Sequence, residues 1–117
     1  MPDYYPSKAS SLLQNAWLHF LLKKEQQAEK GFEILVKSLD GETSALANLG
    51  LCYLDLVRGN FEEALEKFKV FSERYEEDPY SLIFEYHLPH LETRGFEAAE
   101  LRKLFEMSGL PLEKKSA

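Results

Sequence analysis

Apolar residues recur every three or four positions through almost the whole chain, with turn residues between the runs. That spacing stacks them along one side of an α-helix, whereas a strand would alternate apolar and polar every second residue. Leu12, Leu13, Ala16, Trp17, Phe20 and Leu21 form the first run, within residues 8–23. Ala28, Phe32, Leu35, Val36 and Leu39 form the second, which reaches Asp40-Gly41, with Gly41 suited to a left-handed helix terminus. Leu46, Leu49, Gly50, Tyr53 and Leu54 follow a Thr43 cap, and Arg58-Gly59-Asn60 is a turn. Ala64, Leu65, Phe68 and Phe71 mark a fourth helix over residues 61–75.

Asp78-Pro79 reads as a helix start, because proline at the first turn lacks only a donor that has no partner there. The fifth helix, from Tyr80, should kink or end at Pro89, whose ring crowds the preceding turn. The sixth runs from Thr93 to Ser108 and is stopped by Gly109 and Pro111. No stretch alternates in the manner of a strand. The expected fold is all-α, with six helices in one domain. At 117 residues the chain is one domain's worth, and its 44% apolar and 29% charged composition is that of a packed globule.

Charge narrows the function classes. The net charge is −6, and the acids concentrate in the middle: residues 42–79 set nine acids against four bases, while 1–41 are balanced. Nucleic-acid binding needs clustered Lys and Arg, and none is present. No apolar stretch approaches the 20 or so residues of a membrane span, so membrane insertion is not expected. The start, Met1-Pro2-Asp3-Tyr4-Tyr5-Pro6, lacks the basic and apolar regions of a signal peptide, and the cytoplasm is the expected setting.

Catalytic and metal chemistry find little support. Cys52 is the single cysteine and lies on a face read as buried, where thiols are inert. The six glycines are scattered singly, so no phosphate loop forms. His87 and His90 stand three apart, but Pro89 lies between them and a third ligand is missing; His19 could approach His90 only across a concave face. No catalytic residue, cofactor or metal is expected.

Two segments of the middle of the chain carry a resemblance. Leu46-Ala47-Asn48-Leu49-Gly50, with Tyr53, is followed by Gly59-Asn60-Phe61-Glu62-Glu63-Ala64 and Phe68. This resembles a tetratricopeptide repeat, in which small residues sit at a close helix crossing and aromatic ones fill the spaces beside it. Stepping back 36 positions aligns Ala28, Phe32, Leu13 and Trp17 with Ala64, Phe68, Leu49 and Tyr53, and stepping forward 35 aligns Ala99 and Phe96 with Ala64 and Phe61. Family periods lie near 34 residues, so each unit is slightly long, and the length is also similar to Sel1-like repeats. The outer units depart from the pattern: Gln14 and Glu85 replace the small residue, and Lys24-Glu25 has no glycine. A single long helix over residues 7–30 therefore stays open as an alternative to the first hairpin.

The resemblance implies three antiparallel helix-turn-helix units, about 7–41, 43–78 and 79–109, in a short right-handed superhelix, with 110–117 a disordered tail. It also implies a concave groove for a peptide or helix of a partner protein, lined by the first helix of each unit. In that register the groove presents Leu12, Asn15 and His19, then Asn48, Leu51 and Asp55, then Ile83, Tyr86 and His90, with Lys8 and Ser44 beside them. The family's chaperone-tail clamp needs bases on the third inner helix, where this chain has Pro79 and Ile83, so an acidic tail is not the expected partner. The expected role is an adaptor or scaffold of the protein-binding kind. The alternative is a structural subunit or homodimer, suggested by the apolar Leu101, Leu104, Phe105 and Met107 on helix six.

Overall fold

The apolar runs become six helices in the computed structural model, which describes residues 8–110; no strand occurs among them. α1 is Lys8–Leu21, α2 Glu25–Leu35, α3 Gly41–Val57 and α4 Phe61–Arg74. α5 begins as a π-helical stretch, Ser81–His87, and continues directly as α-helix over Leu88–Glu92. α6 is Ala98–Ser108. Residues 1–7, the side chain of Lys8, and residues 111–117 of the expected tail lie outside what the structure describes.

The first hairpin forms, in place of the alternative of one long helix: α1 stops at Leu21, and Lys23 turns the chain at φ 65, with the Lys24 amide donating to His19 O and the Lys23 amide to Phe20 O. Two details differ from the sequence reading. Gly41 is no left-handed terminus. It is the first residue of α3, and Asp40 is the cap, accepting from the Thr43 amide and hydroxyl. Pro89 neither ends nor breaks α5. The turn before it is wound wider, with the Leu88 amide donating to Ile83 O five residues back, which relieves the crowding a proline ring imposes on an α-turn. Asp78 starts this segment as expected, accepting from the Tyr80 amide and the Ser81 hydroxyl.

Packing is built around α3. Every residue from Thr43 to Leu56 except Leu46 is buried, so this helix is surrounded rather than laid on a surface. Gly50 makes room for the Phe32 ring of α2, which a Cβ at that position would overlap. In the first hairpin the close approach is Gly31 against Ala16, and Gln14, the register equivalent of Gly50, is exposed. One aromatic cluster joins Trp17, Phe20, Phe32, Tyr53 and Phe96; a second joins Phe68, Phe84 and Phe105. Ala99, aligned with the buried Ala64, is exposed, so the third unit packs in a different register. Leu110 is held to the core by its amide, which donates to Phe105 O, so the expected tail begins later.

The first and third hairpins touch each other directly. Arg94, in the α5–α6 turn, donates from Nε to Phe20 O at 2.9 Å and pairs with Glu25 of α2 at 3.0 Å. Its side chain is 6% exposed. Arg58, at the end of α3, reaches Glu29 at 2.8 Å and Glu25 at 3.8 Å. The three hairpin turns are thus tied at one end of the molecule.

Candidate functional site

The nine residues of the expected groove do not form one surface. On α3, Asn48, Leu51 and Asp55 are buried at 9%, 8% and 7% exposure, and Ile83 of α5 is a core residue at 1%. Their polar groups are engaged within the fold. Asn48 Nδ2 donates to Ser44 O, Ser44 Oγ donates to Val36 O and receives Arg74 NH1 at 2.7 Å, and Asp55 pairs with Lys67 of α4. Two α4 side chains, Arg74 and Lys67, thus reach onto this stripe. The physical reason was present in the sequence: between Glu42 and Asp55, α3 carries no charged residue and has apolar groups all round.

The other five remain at the surface. Leu12, Asn15, Tyr86 and His90 are exposed, and His19 is half-buried. His19 and His90 do not meet across a groove: His19 follows Trp17 by two residues and so points to the far side of α1, whereas His90 stands beside Trp17. Among the described residues no three His, Cys, Asp or Glu side chains gather to hold a metal ion.

What the fold does assemble is a small pocket between α1 and α5. Trp17 and Leu21 form one wall, and His87 and His90 the other, around about 190 Å³. The His87 ring lies 4.5 Å from Trp17, centroid to centroid. Its Nδ1 is 3.0 Å from the Tyr53 hydroxyl, which is wholly buried and has no other acceptor among the described residues. Burial holds the Tyr53 hydroxyl protonated and pushes the His87 pKa down to about 4, with His90 adding a smaller repulsion. Tyr53 therefore donates, His87 Nδ1 accepts, and the imidazole proton sits on Nε2. Among the described residues no group accepts from Nε2, and no fully buried side-chain N or O lacks a partner.

Leu18 and Leu22, one turn apart on α1 and next in sequence to Trp17 and Leu21, are 55% and 64% exposed. Tyr86, 69% exposed, borders a separate hollow with Tyr75, Ser81 and Leu82. Sequence reasoning treated Trp17 as the core equivalent of Tyr53, placed Leu21 in the apolar run of the first helix, and weighed His87 only as a metal ligand. The available signal was the spacing of Trp17 with Leu21 and of Tyr86 with His90, four residues in each case.

Cys52 is fully buried and its thiol pKa is raised by burial, which makes it a packing residue. Leu101, Leu104 and Phe105 are likewise core residues, leaving Met107 alone exposed on that side of α6. No helix among the described residues is long and apolar enough to cross a membrane. The chain matches no family model, and no curated protein or solved structure resembles it significantly.

Proposed function

We propose that this protein is a helical interaction module that binds another protein through the face shared by α1 and α5. The observation that carries this is the hollow between α1 and α5 walled by half-buried Trp17 and Leu21, with exposed Leu18 and Leu22 next to them on α1 and exposed Tyr86 on α5. Apolar side chains gathered at the rim of a concavity mark contact surfaces, whereas single exposed leucines elsewhere need no explanation. The resemblance of the central hairpin to a tetratricopeptide repeat supports the same class of role, with the contact face moved from the inner stripe of α3 to the α1–α5 side. The reading assigns the protein no reaction. Of the four α6 residues that suggested the homodimer alternative, Leu101, Leu104 and Phe105 are core and Met107 is exposed.

A photo-crosslinking residue at position 86 in the source cell tests this. The partner captured by the wild-type face should be lost when Leu18 and Leu22 are both changed to Ser, and kept when Ile34, exposed on α2, is changed to Ser. Equal capture by both variants rejects the assignment.

A further inference from the structure

A second hollow, where α4 ends and α5 begins, has a chemistry of its own. Tyr75, Glu77, Asp78, Ser81, Leu82 and Tyr86 line it. Its walls are aromatic and aliphatic: the Tyr75 ring, stacked on Phe71 at 5.0 Å, then Leu82 and the exposed Tyr86. Ser81, Leu82 and Tyr86 all come from the π-helical stretch, so the widened winding before Pro89 builds one wall.

The charge around these rings is negative. Glu77 and Asp78 line the hollow, and Glu42 and Glu76 meet Tyr75 in the one adjoining it. None of these four carboxylates pairs with a cation among the described residues. Arg74 lines only the adjoining hollow, where it donates to Ser44 Oγ. Asp78 is held in place, its two oxygens accepting from the Tyr80 amide and the Ser81 hydroxyl. Burial, and then the charges of Glu77 and Glu42, push the Tyr75 pKa up to about 12, the effect of a negative field at that ring.

The hollow is open to solvent, so its chemistry and not its shape selects what docks. Aromatic walls beside unpaired carboxylates call for a cation that can both stack and pair. A guanidinium does both: it is planar, weakly hydrated and carries a fork of N–H donors, whereas an ammonium is a strongly hydrated point charge. Resting on the reading of this protein as one that binds another, we infer that the hollow receives an arginine side chain of the partner. Its guanidinium lies against Tyr75 and Tyr86 and pairs with Glu77 and Asp78.

The full chain at pH 7 and constant ionic strength is titrated with acetyl-arginine amide, acetyl-lysine amide and acetyl-citrulline amide while backbone amide resonances are followed. The arginine probe should shift Ser81, Leu82 and Tyr86 saturably, with a dissociation constant on the order of 10 mM for so small a ligand. Citrulline, which keeps the planar head without the charge, should bind about fivefold more weakly, and lysine about threefold more weakly. Glu77→Gln and Tyr86→Ala should each weaken the arginine probe about threefold while the melting temperature holds. The inference is overturned if citrulline or lysine equals arginine, if neither substitution matters, or if the shifts spread evenly to the exposed Glu62, Glu63 and Glu66 of α4. Arginine that never saturates, beside a crosslinked partner still lost in the Leu18/Leu22 variant, rejects the arginine site alone. Saturable arginine binding with capture insensitive to that variant keeps the site and rejects the wider α1–α5 face.

Discussion

The register read from the sequence gives α3 and α5 equivalent places, yet in the fold they meet opposite fates. α3 is enclosed on all sides, and its polar residues are consumed by neighbours: Asn48 by its own helix, Asp55 by Lys67, Ser44 by Arg74. α5 buries Ile83 and Leu91 and leaves Tyr86 and His90 outside. The difference arises from two features. An apolar surface all round obliges α3 to be covered. Pro89 obliges α5 to widen its turn, and Arg94 then draws the hairpin end against α1 and α2. A repeat register fixes which helices correspond and leaves open which of their faces stays wet.

Cutting the tie that draws the third hairpin inward should have the largest effect. Arg94→Ala leaves Glu25 with only its longer Arg58 contact and Phe20 O without its side-chain donor; losing two hydrogen bonds from a buried guanidinium costs about 3 kcal/mol. Denaturant unfolding measures it, and a midpoint equal to wild type would mean that α5 is held by other contacts.

Acid should act next, through the imidazole that α5 lends to the core. The folded pKa of His87 is about 4, below the ordinary 6.5, so the unfolded state binds the proton more readily. The stabilisation is complete above the unfolded value and is lost as pH falls from about 6.5 toward 4, with a total of about 3 kcal/mol. Stability measured from pH 7 to 4 should show this slope, and His87→Phe should flatten it. An unchanged slope in the variant would place His87 in water.

The smallest effect concerns a turn. Lys23 and Gly59 both adopt positive φ just after a helix, at 65° and 80°, but only glycine does so without side-chain crowding. Lys23→Gly should stabilise the chain by about 0.5 kcal/mol, the relief being partly offset by the greater freedom of glycine in the unfolded state. A loss of stability, read by thermal melting, would show that the Lys23 side chain packs in the turn.

This pair of turns also shows why some of the fold was legible and some was not. Gly59 and Gly109 announced their helix ends, and Asp78-Pro79 announced a start; each acts through local backbone chemistry that sequence displays. Lys23 gives no such sign, which kept the single-helix alternative open. The width of α5 before Pro89 and the grip of Arg94 on Phe20 O depend on contacts 74 residues apart, beyond any local pattern. Of the candidate site, Tyr86 and His90 were found at the surface because charge and polarity thin the apolar pattern there. Asn48, Leu51 and Asp55 were misplaced because a register was followed where the all-round apolarity of α3 argued for burial.

The opposition of α3 and α5 is tested most directly by truncating one side chain from each. Leu51→Ala and Tyr86→Ala are made separately and melted alongside wild type. Leu51, 8% exposed, should lose about 2–4 kcal/mol as a cavity opens, while Tyr86, 69% exposed, should stay within about 0.5 kcal/mol of wild type. Equal and small losses would reopen α3 as a groove, and a large loss at Tyr86 would bury the face on which the proposed interaction rests.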